Sequence, residues 1–365
     1  MRVCLVVFSY RYTGAAAVAE HCSRALLEVG VEVCLLFTGG DNLELRLAGR
    51  PWARPVLRKE RGPGDVIANL KALRAAAHEH DALLCHLPHD HFLCLVARAR
   101  RHATLVRSFR SPGHLRPDPF HRLLARRTDG ALLAHRRLAE ALDRLAPDLP
   151  RIALPVPTEA RFSPGDTGSS WRRRLAIPER APVIGMVGKV APGRGFELLL
   201  DAAAALETPA RVVVIGHGEA RPRLELRARE LGLADRLHWA GYVEDDLPAL
   251  LAALDVVLVT AAGSDHGHRA VSEAQACSRP VVAVELPGVE DLVEDRRTGR
   301  IVAPTPRALA GAVDELLADP DLAGRLGRAG ATAVQGRRFA PVGRRLAEFL
   351  DELTAARRSR GLDPG

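Results

Sequence analysis

The sequence predicts an α/β protein with two doubly wound domains, each built on a parallel β-sheet. Short aliphatic and β-branched runs recur along all 365 residues, and stretches of helical composition separate them. These runs rarely alternate with polar residues, as is typical of strands that are buried on both faces of a sheet. The length also suffices for two domains that each bury a hydrophobic core.

The first half begins with a strand, helix, strand unit. Arg2 to Phe8 predicts a buried strand, a helix follows from about Ala15 to Val29, and Val31 to Phe37 predicts the second strand. This opening is Rossmann-like but lacks a Gly-x-Gly-x-x-Gly fingerprint, so it gives little support to dinucleotide binding. Further strands are predicted at residues 81–87, 104–109, 129–133 and 151–155.

A proline-rich passage separates the two halves. The run from Pro155 to Gly165 contains three prolines before its glycine, which indicates a stiff crossing between domains rather than a helix. We therefore place the first domain at residues 1–165 and the second at residues 166–340, and leave a terminal helical segment at 341–365.

The second half opens with a strand at residues 181–188, directly followed by a turn with two cations. Lys189 and Arg194 flank a Pro-Gly turn, and its glycines allow close approach of the backbone. A lysine point charge and an arginine fork at a strand end predict a diphosphate clamp. Further strands are predicted at 211–215, immediately before Gly241, at 255–260 and at 280–284.

The stretch from Asp265 to Pro280 carries the clearest functional signal. It lies between two predicted strands and contains a helix from about Arg269 to Cys277. Such a loop lies at the carboxyl end of its strand, where doubly wound folds bind ligands, and the first amides of the helix attract an anion such as a phosphate. Glu273 points back toward the same place, which indicates hydrogen bonds from the hydroxyls of a sugar or ribose.

The same stretch resembles the donor-binding signature of glycosyltransferase family 4. In that signature an acidic residue, seven intervening positions and a glutamate precede a small-residue stretch that ends in Arg-Pro-Val-Val. The corresponding residues here are Asp265, Glu273, Ala274, Cys277 and Arg279-Pro280-Val281-Val282. The family usually has glutamate first and an EGFG-like loop, whereas this chain has Asp265-His266-Gly267-His268. The family also has arginine before lysine in the clamp, and this chain exchanges the two.

This resemblance implies a GT-B fold, in which two Rossmann-like doubly wound domains face each other across a cleft. It implies a retaining glycosyltransferase that uses a nucleotide-diphosphate sugar as donor substrate, with no cofactor and no metal. The residues assigned to catalysis are Asp265, Lys189 and Arg194. Glu273 is assigned to the ribose, and the other donor-binding positions are Gly14, Gly188, Gly216, Val243, Gly267, His268 and Arg269.

On the acceptor side the chain departs from the family. Many relatives have a histidine that contacts the donor sugar at the end of the strand 104–109, where this chain has Phe109 or Arg110. We assign Arg110 and His114 to the acceptor side. The resemblance also implies that the helix at 341–365 returns to the first domain.

Two other motifs invite a metal interpretation. His86, His89, Asp90 and His91 follow a predicted strand, but their spacing fits no zinc motif, and an acceptor-side loop is the favoured interpretation. Asp319-Pro320-Asp321 has the Asp-x-Asp spacing of metal-dependent glycosyltransferases of another fold, but here it is interpreted as the turn that starts a helix.

The charge distribution favours an anionic partner for the first domain. Residues 1–165 hold 25 Lys+Arg against 16 Asp+Glu, whereas residues 166–365 hold 27 against 28. An acidic membrane surface, a phosphorylated acceptor and a simple solvated surface all fit this excess. Nucleic acid does not, because aromatic residues make up only 4% and no reading motif is present.

The remaining composition favours a cytoplasmic protein, with peripheral membrane contact as an option. No apolar run approaches the length of roughly 18 residues that a membrane span needs. The six cysteines follow no Cys-x-x-Cys spacing, which favours reduced, buried thiols.

The acceptor class and the catalytic competence stay open at this stage. The acceptor is a glycan, a lipid-linked molecule or a small molecule. A non-catalytic GT-B partner subunit and a sugar-nucleotide epimerase are the alternatives to a transferase.

Overall fold

A computed structural model describes residues 1–98, 103–165, 168–261 and 268–359. The chain divides into two units, and the first ends at Pro157, eight residues before the predicted boundary at 165. The chain returns to the first unit at Phe339, and the described residues between Thr158 and Arg338 form the second unit. The predicted α/β class with two doubly wound sheets is confirmed.

The described part of the first unit contains seven parallel strands and the helices that connect them. The strands are β1 (Arg2–Val7), β2 (Glu32–Thr38), β3 (Ala53–Leu57), β4 (Ala82–Cys85), β5 (Thr104–Phe109), β6 (Gly130–Leu133) and β7 (Arg151–Ala153). The helices are α1 (Gly14–Glu28), α2 (Asn42–Leu47), α3 (Pro63–Glu79), α4 (Pro88–Arg98), α5 (Pro119–Arg126), α6 (Leu138–Leu145) and α14 (Phe339–Ser359). The strand order is β3-β2-β1-β4-β5-β6-β7.

The described part of the second unit contains six parallel strands. They are β8 (Val183–Val187), β9 (Arg211–Ile215), β10 (Leu237–Gly241), β11 (Val256–Val259), β12 (Val281–Val284) and β13 (Arg300–Val302). The helices are α7 (Ser169–Arg174), α8 (Phe196–Ala204), α9 (Arg221–Glu230), α10 (Leu247–Ala252), α11 (Arg269–Ala276), α12 (Pro306–Ala318) and α13 (Pro320–Val334). The strand order is β10-β9-β8-β11-β12-β13.

In both sheets the strand order reverses next to the first strand of the unit. The reversal lies between β1 and β4 in the first unit and between β8 and β11 in the second. At such a switch point the connections leave in opposite directions, and a crevice opens outside the carboxyl ends of the two strands. The topology therefore selects these strand ends as the places to look for a ligand site.

The last helix, α14, packs against α1 within the first unit. A Cβ on Gly343 would lie 2.6 Å from the carbonyl carbon of Ala25, so the two backbones approach too closely for a larger side chain. The rings of Phe339 and His21 stack beside this crossing with centroids 5.6 Å apart. A small residue at the crossing is thus a condition for this packing.

Three features of the chain bear on the other expectations. All six cysteines are buried and free, as predicted. Asp319 caps α13 by accepting a 2.8 Å hydrogen bond from the amide of Leu322, so the Asp-Pro-Asp motif is a helix start. None of the described helices is long and apolar enough to cross a membrane.

Candidate functional site

The β8–α8 loop lies at the switch point of the second unit. Two backbone hydrogen bonds join it to the end of β9 and the loop that follows. The Gly188 amide donates to Ile215 O at 2.9 Å, and the Val190 amide donates to His217 O at 3.0 Å. On the other side, Thr260 at the end of β11 donates its hydroxyl to Gly195 O at 2.8 Å. The loop is therefore held by the strands on both sides of the switch point.

Gly216 sets how closely the two loops approach. Its φ is +142°, and a Cβ there would lie 3.0 Å from the carbonyl carbon of Gly188 and would overlap the carbonyl oxygen. Only glycine adopts this backbone conformation without strain. The Gly216 amide also donates to Gly241 O at 2.8 Å, so the same residue ties in the end of β10.

The two predicted clamp cations lie on this loop. Lys189 is about two-thirds exposed, and its Nζ lies 3.8 Å from Glu219 Oε2. An exposed pair at that distance contributes little, so an anion with several oxygens could displace the carboxylate. Arg194 is partly buried, and its amide donates to Ala191 O at 3.2 Å, which closes the Pro-Gly turn.

Helix α11 begins across the switch point with an unusual residue. His268 is 3% exposed and has a φ of +45°, a left-handed conformation that non-glycine residues rarely adopt. Its Nε2 lies 3.0 Å from Pro287 O, a carbonyl that only accepts, so Nε2 is the donor of this hydrogen bond. Nδ1 is buried and forms no hydrogen bond with any residue that the structure describes.

Glu273 occupies the inner face of α11. It is 7% exposed, and Arg269 Nε lies 3.1 Å from its Oε1, one helical turn away. A buried carboxylate keeps its charge only with such a partner. The predicted residues Asp265 and Gly267 belong to 262–267 and lie outside the described residues.

Val243 lies just past the end of β10 and is partly buried. The neighbouring Tyr242 is 66% exposed, and its ring meets that of His217 edge-on with centroids 5.6 Å apart. The Gly-Tyr-Val turn and the Gly216 turn are thus neighbours along the same edge of the sheet. In the second unit the predicted residues that the structure describes all lie in the segments that follow the carboxyl ends of β8, β9, β10 and β11, namely Gly188, Lys189, Arg194, Gly216, Val243, His268, Arg269 and Glu273.

The first-unit residues lie at the carboxyl edge of the other sheet. Gly14 is the first residue of α1 and not part of the preceding loop, since Thr13 is the N-cap. Arg110 directly follows β5 and is 6% exposed, and His114 ends a 3-10 turn over Pro112–His114. The second unit holds none of these three residues.

The sequence analysis named His86 and Asp90, but it did not predict that they form a buried polar cluster with Arg107 at the ends of β4 and β5. Asp90 accepts hydrogen bonds from the amides of Phe8 at 3.0 Å, Leu87 at 2.8 Å and His86 at 3.3 Å. Burial raises the pKa of the Asp90 carboxyl to about 6, although the positive charge of Arg107 and these amides oppose the shift. This carboxylate therefore fixes the start of α4 against β1.

His86 is the residue of this cluster that has unused hydrogen-bonding capacity. It is 1% exposed, and neither ring nitrogen forms a hydrogen bond with a described residue. Burial, with a smaller contribution from the positive charges of Arg107 and Arg110, lowers the pKa of His86 to about 3. The ring is neutral at pH 7 and can offer one donor and one acceptor.

The prediction of an acceptor-side loop at residues 86–91 is wrong for most of that segment. Pro88 starts α4, which includes His89, Asp90 and His91, so most of the motif is helical. Proline is favoured at the first helical position, where its missing amide costs no hydrogen bond. His89 lies 3.2 Å from Glu60, and burial lowers the pKa of His91 to about 3. Within the described ranges, no three His, Cys, Asp or Glu side chains are placed to hold a metal.

Comparison with known proteins assigns a family to this architecture. Residues 169–333 match the family model described as glycosyl transferases group 1. The chain is 34% identical over 175 residues to an alpha-D-kanosaminyltransferase of Streptomyces kanamyceticus, a match over 46% of this chain and 45% of that protein. It is 32% identical over 325 residues to a D-inositol 3-phosphate glycosyltransferase of Salinispora arenicola, which covers 77% of this chain and 70% of that protein.

A solved structure shares the fold over nearly the whole chain. Anabaena Alr3699/HepE, in a crystal structure with UDP and glucose, superposes with a TM-score of 0.81 at 19% identity. The match covers 96% of this chain and 100% of that one. The chain spans less than half the length of the kanosaminyltransferase, so the family match, and not that protein's activity, is what the comparison establishes.

Proposed function

Because this chain belongs to the group 1 glycosyl transferases, we propose that it moves a sugar from a nucleotide-diphosphate sugar to an acceptor, as a retaining member of glycosyltransferase family 4. One observation carries the proposal. The Lys189 to Gly195 turn and the start of α11 lie at the carboxyl ends of the two switch-point strands. A diphosphate fits there, between two cations and a helix start.

The chemical requirement is to stabilise the departing nucleotide diphosphate. Lys189 and Arg194 supply positive charge on one side, and the first turn of α11 after His268 supplies backbone dipoles on the other. Groups that are already placed where negative charge develops lower the barrier without reorganisation. We propose that these residues do so with no metal and no cofactor.

The other donor contacts follow the layout of the strand ends. We propose that Glu273 accepts hydrogen bonds from the ribose hydroxyls and that Asp265 holds the donor sugar, with Gly267 beside it. The turn at Val243 would read the base through backbone groups, next to Gly216. UDP is the first nucleotide to test, since the HepE structure contains it.

The acceptor is proposed to meet the carboxyl edge of the first unit. Arg110 and His114 lie there, and Gly14 starts α1 at the same edge. The D-inositol 3-phosphate glycosyltransferase relative is named for a phosphorylated polyol, and residues 1–165 carry an excess of nine positive charges. A phosphorylated small molecule is thus the first acceptor to screen, before glycans and lipid-linked acceptors.

The test is a donor-consumption assay with and without acceptors. A transferase consumes the nucleotide sugar only when an acceptor is present, an epimerase needs none, and a non-catalytic partner subunit consumes none alone. Replacement of Arg194 by alanine should reduce turnover by roughly 10²–10³ if it acts like a typical oxyanion donor. Arg229→Ala, on the exposed face of α9, is the matched control and should retain turnover. Equal turnover of the two variants would refute the clamp.

A further inference from the structure

The outward face of α4 and α5 in the first unit is apolar where charged residues are usual. Phe92 and Val96 on α4 are 43% and 38% exposed, and Phe120 and Leu123 on α5 are 53% and 48% exposed. The two phenylalanine rings lie 6.2 Å apart between centroids, so the four side chains form one surface, the α4–α5 patch. Contiguous exposed apolar groups on a surface helix indicate an interaction site.

Exposed arginines that lack a side-chain partner among the described residues lie close to this patch in the sequence. Arg116, Arg122, Arg126 and Arg127 are all exposed, and none forms an ion pair or a side-chain hydrogen bond with a residue that the structure describes. The nearest carboxylate in sequence, Asp118, is occupied, since it accepts from the His121 amide at 2.9 Å and lies 2.7 Å from its Nδ1. The apolar surface is therefore flanked by more arginines than carboxylates, and its net charge is positive.

Helix α9 shows that arginine content alone does not create such a surface. Arg221 Nε lies 2.8 Å from Glu225, and Arg227 lies 2.9 Å from Asp201. Two of the four arginines of α9 thus have a carboxylate partner on their own unit, and a single large apolar side chain of this helix, Leu226, is exposed. The combination of unpaired arginines and exposed aromatic rings belongs to the α4–α5 patch.

A cavity adds to the positive surface at the far end of the same helices. It has a volume of about 770 Å³, and Leu95 and Arg98 of α4 line it together with Arg126 and Arg127 at the end of α5. Asp129 within it already binds Arg98 and Arg357, so Arg126 and Arg127 face one further carboxylate in the lining, that of Asp148. The positive charge thus extends along the whole length of α5.

We propose that the α4–α5 patch docks the first unit on an anionic membrane surface. Apolar side chains at the end of an amphipathic face enter the boundary between headgroups and acyl chains, and arginines beside them meet lipid phosphates. Charge complementarity selects this partner, because four exposed arginines outnumber the carboxylates Asp118 and Asp148 near them and leave a net positive surface that fits a uniformly negative one. A protein partner would be expected to meet mixed charges at its rim.

The experiment is flotation of the full chain with vesicles of phosphatidylcholine alone and of phosphatidylcholine mixed with phosphatidylglycerol. Wild type should float only with the anionic vesicles, and added salt should reduce but not abolish binding, since the apolar contribution is unscreened. The variant Leu123→Ser with Arg126→Glu should bind about a hundredfold more weakly, from the lost apolar burial and the reversed charge. Both side chains are exposed, so the fold should persist.

The control has the same spacing and chemistry on the other unit. Leu226→Ser with Arg229→Glu replaces a leucine that is 54% exposed and an arginine three residues later on α9, and it should bind like wild type. Equal loss in both double variants, or equal binding of wild type to neutral vesicles, would overturn the proposal. The proposal would also be overturned if wild type bound no vesicles and instead formed a dimer that the Leu123→Ser, Arg126→Glu variant did not form. Vesicle binding needs no donor or acceptor, so its failure is separate from failure of the transferase assay.

Discussion

Replacement of Gly216 by alanine should destabilise the second unit and weaken donor binding together. The β9–α9 loop touches the β8–α8 loop here through backbone alone, and an added Cβ would overlap the carbonyl oxygen of Gly188. Relief of the overlap requires movement of Gly188 and of Lys189, which follows it. The structural prediction is therefore a displaced clamp as well as a less stable unit.

The magnitude follows from two contributions. A φ of +142° is essentially restricted to glycine, and such strain costs about 1–3 kcal/mol. Overpacking against a fixed neighbour adds about 1–3 kcal/mol. Gly232 distinguishes backbone strain from overpacking, because it also has a positive φ, +68°, but a Cβ there meets nothing within 4 Å. Gly232→Ala should cost only about 1–2 kcal/mol.

Urea unfolding measures the stability effect, and nucleotide titration measures the effect on the clamp. We expect Gly216→Ala to lower the free energy of unfolding by at least about twice as much as Gly232→Ala, and to weaken nucleotide binding where Gly232→Ala does not. If the two variants were equally stable and bound nucleotide equally, the close approach of the two loops would not position the clamp.

Three further outcomes are expected. Glu273→Gln should weaken nucleotide binding by about tenfold or more, since a hydrogen bond to a charged group contributes about 1.5–3 kcal/mol; unchanged affinity by calorimetry would remove the ribose assignment. The His86 pKa is lowered to about 3 in the fold, so between that value and the ordinary pKa the unfolded chain binds the extra proton and stability falls as pH falls. His86→Leu should abolish about 2 kcal/mol of the stability that wild type loses between pH 7 and pH 5 in urea titrations, and an unaltered pH dependence would contradict the assignment. Gly343→Ala should destabilise the first unit by about 1–3 kcal/mol through its contact with α1, whereas Gly311→Ala, with open space around it, should not; thermal unfolding of the two variants gives the comparison.

The sequence was sufficient for the strands that form the buried middle of each sheet. The predicted bounds of β5 and β9 agree with the structure, because a strand covered on both faces is a continuous apolar run. The strand β3 has no such run, since Arg54, Pro55 and Val56 are exposed at the edge of the sheet. An edge strand tolerates proline and polar residues, so it leaves little signal in the sequence.

The position of the predicted donor residues in the fold was also accessible from sequence, since most of them lie in short loops directly after apolar runs, and their role in donor binding stays a prediction. Lys189 and Glu273 could be assigned to one edge of one sheet before the structure was considered. The burial of His86, Asp90 and Arg107 in one cluster could not be predicted from the sequence. These residues become buried only when β4, β5 and α4 pack together, which no local pattern predicts. The segment was also interpreted as a loop, whereas Pro88 starts a helix.

Calorimetric titration with UDP, GDP, ADP and dTDP tests the donor site most directly, on wild type and on the double variant Lys189→Ala with Arg194→Ala. The account predicts that one nucleotide binds wild type and that the double variant binds it at least about a hundredfold more weakly, from the loss of two charged contacts. Binding of no nucleotide by the folded wild-type chain, or equal binding by the double variant, would contradict it.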